Sequence, residues 1–351
     1  MEFIHETLPQ RVVFAPGGAA GAVAGEVAAL GARKAMLIAS DREAALVDPI
    51  AREIPVVVRH DEVVMHVPVE VARRARDAAA ASGADVLVSV GGGSTTGLAK
   101  AVALTTRLPI VAVPTTYAGS EATNVWGLTE GGTKTTGVDD AVLPRSIVYD
   151  AVLLTGLPGE LSVASGLNAM AHCVDSFWGP RADPIDRVLA GEGVRALAAG
   201  LPVVAGDPAS TPGIEQTLYG AYLAAVSFAG AGSGMHHKIC HVLGGMFNLP
   251  HAQTHAVVLP HVLAFNAPHA PEAEQRIAQA FGSTTASAGL AALRARLNAP
   301  KALRDYGMPE DGIAKAVAPI LAAIPAGNPA PVTGDDITAL LHAAWEGSAP
   351  S

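Results

Sequence analysis

The residues most able to do chemistry in this chain are its histidines. There are 12 of them among 351 residues, in a sequence with only 4% aromatic residues. Asn168 and His172 lie four apart in an apolar helical stretch, His237 and His241 lie four apart in another, and His251 follows Pro250 at the entry to a third. Residues four apart share one helical face. A lone histidine on such a face is ordinarily a satisfied core residue. Two pairs and a third helix entry are harder to dismiss, because three imidazoles and one further group make the stoichiometry of a metal site.

A second set of residues suits phosphate. VSVGGGS carries Gly91, Gly92, Gly93 and Ser94 from a strand into a helix. Such a turn lets backbone N–H groups approach a pyrophosphate, and the helix N-terminus adds a favourable dipole. The pattern is neither G-x-G-x-x-G nor a Walker loop, and a glycine triplet alone reads equally well as a tight turn. From Pro114, the stretch PTTYAGSEATNVWGLTEGGTKTT offers Thr115, Thr116, Ser120 and Lys134 to a base, ribose or phosphate. A solvated hairpin is the plain alternative. Its position directly after a strand favours ligand contact, since open parallel sheets bind ligands at strand carboxyl ends.

The elements that must hold these residues change character along the chain. Up to about residue 150, short apolar strands (RVVF, AMLIA, PVVVRH, DVLVSV, LPIVAVP) alternate with Ala-rich helical stretches, the pattern of a parallel sheet covered on both faces. Beyond Gly159 the periodicity is helical throughout, with Pro and Gly clusters as punctuation. The expected fold is therefore α/β plus all-α: a Rossmann-like parallel-sheet domain over residues 1–153, then a helical-bundle domain over 154–351.

Composition narrows the function classes. The chain is 50% hydrophobic and 16% charged, and Lys+Arg 23 against Asp+Glu 32 gives a net charge of -9. No electropositive face for nucleic acid is in view, and disorder is excluded by the low charge. Each apolar run is broken before the ~20 residues a membrane span needs. No export signal is read at the start, and Cys173 and Cys240 are too few for a disulfide scaffold, so a cytoplasmic protein is expected. Both cysteines read as small buried hydrophobes, and His255 and His261 as structural or supporting residues.

Taken together, GGGS at 91–94, PTT at 114–116, GLNAMAHCVDSF at 166–177 and HKICHVLGGMFNLPHAQTHAVVLPHVLAFN at 237–266 resemble the iron-containing alcohol dehydrogenase family across nearly the whole chain. The resemblance implies a dehydroquinate synthase-like architecture and a nicotinamide cofactor. It also implies an Fe²⁺ or Zn²⁺ site at the positions of residue 168, His172, His237 and His251, with His241 near the nicotinamide. Three departures stand out: Asn168 in place of the ligand Asp, Gly97 in place of an acidic residue, and the shortened PTTYAGSE. They are similar to the maleylacetate reductase branch, whose reaction is reduction of 2-maleylacetate to 3-oxoadipate by NADH or NADPH.

An amide in place of a carboxylate weakens metal binding, and hydride addition to an activated double bond needs only a group to stabilise the enolate. The expected site is thus metal-free, with Asn168, His172, His237, His241 and His251 serving a dicarboxylate substrate as hydrogen-bond donors or cations. Ser40, after the second strand, leaves both NADH and NADPH tolerated; a strong NADH preference would point to Asp41. A homodimer is expected, with the N-terminal segment as the pairing element. The competing readings are a metal-dependent alcohol or polyol dehydrogenase, and a nucleotide-binding sensor on a dehydrogenase scaffold.

Overall fold

The computed structural model describes residues 2–131 and 133–350, with backbone alone for Thr133 and Lys134. The chain divides into an α/β unit, Leu8–Leu157, and a helical unit formed by Pro158 onward together with the N-terminal arm up to Thr7. The division lies four residues beyond the expected 153, and the arm packs with the helices.

In the α/β unit the order is β1 (Arg11–Phe14), α1 (Ala19–Ala29), β2 (Ala35–Ile38), α2 (Ala44–Glu53), β3 (Val56–His60), α3 (Val69–Ser82), β4 (Val86–Gly91), α4 (Gly93–Thr106) and β5 (Ile110–Pro114). The hairpin β6 (Val125–Glu130) and β7 (Thr133–Val138) and the strand β8 (Ser146–Tyr149) follow. Six strands form one sheet in the order β1-β8-β5-β4-β2-β3, and every neighbouring pair is parallel.

Side-chain alternation covers both faces. Leu37, Val88, Val90, Val111 and Val113 pack with Val23 and Val27 of α1 and Ile50 of α2. Met36, Ile38, Leu87, Ile110 and Ala112 pack on the other side with Ala72 and Ala75 of α3 and Leu98 and Val102 of α4. The helices follow the same logic: α3 buries Val71, Ala72, Ala75 and Ala79 and turns Glu70, Arg73, Arg74 and Asp77 outward. The hairpin reading of the Thr-rich stretch holds for β6 and β7, which are antiparallel.

Topology marks where a ligand fits. The chain leaves β2 towards β3 on one side and leaves β4 towards β5 on the other, so the adjacent strands β2 and β4 flank a topological switch point. Open α/β sheets bind ligands at such points, at the carboxyl ends of the strands. Ser40 follows β2, and Gly91–Gly93 end β4.

The helical unit contains α5 (Gly159–Ser176), α6 (Pro184–Gly206), α7 (Thr211–Ala231), α8 (Met235–Phe247), α9 (His251–Asn266), α10 (Pro271–Phe281), α11 (Ala286–Arg296), α12 (Gly312–Ala323) and α13 (Gly334–Glu346). One core is shared by α8, α9, α12 and α13 through Ile239, Leu243, Val258, Val262, Ile313, Ile320, Ile337 and Leu341. Asp183 caps α6 by accepting from Ile185 N (2.7 Å) and Asp186 N (2.9 Å), with Pro184 in the first turn. α6 alone among the described helices has the length and mean hydropathy to cross a membrane, and, as expected, its apolar run is interrupted by Gly, Pro and charged residues. It packs instead against α5 and α7 and carries Asp186, Arg187, Glu192 and Arg195.

Candidate active site

α5 presents Asn168, His172 and Asp175 at spacings i, i+4 and i+7, so all three lie on one face, and all three are buried. α8 starts without a side-chain cap from its own sequence. Asp175 supplies one instead: its Oδ2 accepts from Gly234 N (3.1 Å), His237 N (3.2 Å) and His237 Nδ1 (2.7 Å). Because that oxygen already accepts from backbone amides, the ring nitrogen facing it is the donor. Nε2 of His237 is left as a buried acceptor without a partner.

Five further rings complete a continuous patch. His172 stacks on His237 at 4.8 Å, and Phe228 of α7 packs against both. His236 Nε2 and His255 Nδ1 share a hydrogen bond of 2.9 Å, while the His255 ring lies 4.7 Å from His237 and 4.3 Å from His251. His241 stands 6.1 Å from His237 and 6.3 Å from His251. His241 and His251 are half-buried; the other four are buried.

Burial sets the charge of this patch. It pushes the pKa of His172 down to about 4 and that of His236 to about 3, and holds His237 and His255 well below the ordinary range; for the last three, neighbouring imidazoles add to the effect. Near neutral pH these four rings are uncharged, so of the two expected roles, hydrogen-bond donor or cation, the cationic one is disfavoured for His172 and His237. The burial of Asp175 raises its pKa to about 7, partly offset by the N–H groups of α8.

His236, His237 and His255 each bring one ring nitrogen within 4.8 Å of the others, but the ligand set that the resemblance implies, with residue 168 in it, fits a resident divalent ion poorly. Asn168 contributes only a neutral amide, and the Asp175 carboxylate is engaged by His237 and α8. His236 and His255 spend a nitrogen each on one another. The His172 and His237 rings lie within 14° of parallel, whereas ligands of one tetrahedral ion aim at a common point. Asn168 Oδ1, His172 Nδ1, His236 Nδ1, His237 Nε2 and His255 Nε2 have no partner. These are hydrogen-bonding positions for a polar substrate or water.

The second group of expected residues gathers at the switch point of the α/β unit. Gly91 has φ +153, and a Cβ there would come within 2.8 Å of Thr95 Cβ and 2.9 Å of Glu43 Oε1. At Gly92 a Cβ would come within 3.0 Å of the Thr116 methyl. α4 begins here with no side-chain cap and no acidic residue in its first turn, leaving the N–H groups of Gly93 and Ser94 available to an anion.

Ser40 Oγ donates to Glu43 Oε2 (2.9 Å) and Thr115 Oγ1 donates to Glu43 Oε1 (3.0 Å), so one carboxylate joins the ends of β2 and β5 beside the glycine turn. Ser40, expected at the position that decides between NADH and NADPH, thus has the Glu43 carboxylate beside it, and Asp41, the alternative, is exposed nearby. Ser120 takes part through its carbonyl, which accepts from Lys100 Nζ (2.6 Å). Burial lowers the Lys100 pKa to about 7, yet Thr123 O, Thr123 Oγ1 and Val125 O also accept from it and hold its proton, so Lys100 ties the whole loop to α4. The Lys134 side chain lies outside the described residues.

Sequence reasoning missed Asp175, His236, Glu43 and Lys100, while His255, read as structural or supporting, lies within the ring patch. Asp175 had a signal, being one further turn along the Asn168–His172 face.

Comparisons with known proteins identify the family. Residues 9–151 match the iron-containing alcohol dehydrogenase family model, and residues 162–345 match the model of the Fe-containing alcohol dehydrogenase C-terminal domain. A maleylacetate reductase of Sphingobium indicum is 44% identical over 352 residues, covering 100% of this chain and 99% of its own. The crystal structure of an iron-containing alcohol dehydrogenase from Corynebacterium glutamicum is 61% identical, with a TM-score of 0.97 over 99% of this chain and 98% of its own. That of a maleylacetate reductase from a Rhizobium species is 40% identical, with a TM-score of 0.93 over 99% of each chain. The chain belongs to the iron-containing alcohol dehydrogenase family.

Proposed function

We propose that this protein is a maleylacetate reductase that takes its hydride from NADH or NADPH and works without a resident metal ion. The observation that carries this reading is the replacement of an anionic ligand position by Asn168 inside a patch of neutral imidazoles, in a chain 44% identical to a maleylacetate reductase. When bound, the reduced nicotinamide supplies a hydride to the double-bond carbon β to the ketone of 2-maleylacetate. The electron pair then moves onto the ketone oxygen as an enolate, and a proton at the α carbon gives 3-oxoadipate.

Each step finds a residue. The N–H groups of Gly93 and Ser94, with Thr116 beside them, take the dinucleotide phosphates, and Ser40 and Thr115 line the turn. Lys134, on β7, stays among the proposed contacts. The neutral imidazole of His172 and the Asn168 side-chain amide donate hydrogen bonds to the carboxylates and the enolate, which in a dry site stabilises developing charge, while His237, whose Nε2 is an acceptor, holds the His172 ring by stacking. His241 or His251, the half-buried members, delivers the proton. Glu43 weighs towards NADH, because a carboxylate at the switch point repels a 2′-phosphate.

A cytoplasmic homodimer completes the proposal. The exposed Phe3 and Ile4 on the N-terminal arm are its candidate contacts, to be checked by sedimentation.

NADH oxidation with maleylacetate, against a panel of aldehydes and ketones and with and without chelator, tests the function. Turnover with maleylacetate that survives chelation is expected. Activity confined to aldehydes or ketones and restored by Fe²⁺ or Zn²⁺ would establish the metal-dependent dehydrogenase instead.

A further inference from the structure

A second cluster of ligating groups lies in the helical unit where the N-terminal arm meets the start of α6. His5, Asp183 and Asp186 place their ligating atoms within 4.8 Å of one another. His5 Nδ1 donates to Asp183 Oδ2 at 2.7 Å and lies 3.9 Å from Asp186 Oδ1. Asp183 uses its other oxygen to cap α6, so Oδ2 is the one turned to the arm.

Asp186 is the independent sign of a missing ligand. It is 1% exposed, and neither of its carboxyl oxygens has a hydrogen-bond partner. Gly230 of α7 leaves the space it occupies, since a Cβ there would come within 2.8 Å of the carboxyl carbon and 2.9 Å of Oδ2. The nearby cation is Arg181, but its hydrogen bonds go to the carbonyls of Ala229 and Gly230. An orphaned buried carboxyl is costly, and here it faces a second carboxylate and an imidazole. Burial and Asp183 together raise the Asp186 pKa to about 6.

We propose that His5, Asp183 and Asp186 bind one borderline divalent cation of the Zn²⁺ class. One imidazole nitrogen and two carboxylates suit Zn²⁺ better than Mg²⁺ or Ca²⁺, which prefer oxygen ligands alone. Bonds of about 2.0–2.2 Å at tetrahedral angles put ligand atoms about 3.3 Å apart. The observed 2.7 and 3.9 Å bracket that spacing, so small side-chain shifts complete the site. Binding through His5 Nδ1 requires the ring proton to sit on Nε2 and releases any proton on Asp186, and it clamps the arm onto α6.

The test is a Zn²⁺ titration of chelator-stripped full-length protein by calorimetry, with Tm followed in parallel. Wild type should bind Zn²⁺ and gain Tm, while His5→Ala and Asp186→Asn each raise Kd by about tenfold or more with maleylacetate turnover unchanged. No Zn²⁺ uptake by wild type, or titrations of both variants that match it, overturns the proposal. Uptake lost in His251→Ala but kept in His5→Ala places the ion in the active-site patch, with the same consequence. Should Asp186→Asn fail to fold, His5→Ala on the arm decides.

Discussion

The glycine turn of the α/β unit and the histidine patch of the helical unit solve the same problem by opposite means. Under the proposed function both receive anions in a chain whose net charge is -9. The turn does so with backbone: glycines at 91 and 92 open space, and a helix start points N–H groups at it. The patch does so with side chains kept neutral by burial, several of which have an unused hydrogen-bonding atom. One region depends on the absence of side chains, the other on which tautomer each imidazole holds. Substitutions in the patch should therefore damage catalysis more than cofactor binding, and those at the turn the reverse.

The largest separation is expected from His251→Ala, which removes a candidate proton donor. Turnover with maleylacetate should fall by a factor of about 10²–10⁴ while NADH affinity, read by fluorescence titration, stays within about twofold. Equal losses in both would erase the contrast.

Acidification should expose the patch next. The pKa of His172 falls from 6.5 unfolded to about 4 folded. Below pH 6.5 the unfolded chain therefore takes up a proton that the folded chain refuses, and stability is lost as pH drops. Between pH 7.5 and 5 this amounts to about 2 kcal/mol for His172 alone, and His236, His237 and His255 shift in the same direction. Asp175, raised to about 7, opposes them as one carboxyl against four imidazoles. Calorimetry should show Tm falling across that range, and a flat profile would mean the rings are not held neutral.

Asp175→Asn isolates orientation from contact. Losing the carboxylate frees the His237 tautomer, and kcat should drop about 10–100-fold with KM and NADH affinity little changed. The smallest effect is assigned to the turn: Glu43→Gln should raise the NADPH to NADH efficiency ratio several-fold, with maleylacetate KM unaltered. A ratio that does not move would remove Glu43 from cofactor selection.

The two regions also differed in how legible they were. A strand running into Gly-Gly-Gly and a helix is written in one short stretch, and the structure places it at the switch point. β8 went unread because four residues after a loop carry little pattern, although it lies between β1 and β5. In the patch, the i, i+4 pairs were readable. Asp175 was passed over because a carboxylate on a helix is exposed by default, and only docking of the α8 start buries it. His236 was missed because adjacent helical residues point about 100° apart. It joins the patch only because α9 brings His255 to its side, a long-range fact with no local signal.

The arm up to Thr7 belongs with the helices, while the 150 residues that follow it form the other unit. The α/β unit is thus an insertion near the start of a domain otherwise encoded after it. His5 and Asp183 are 178 positions apart. During synthesis the arm emerges before the inserted unit, and its docking surface on α6 emerges only after that whole unit has been made. Completion of the helical domain therefore waits for recapture of an arm that lies before the inserted unit, a step with a large loop-closure cost and a natural rate limit for folding.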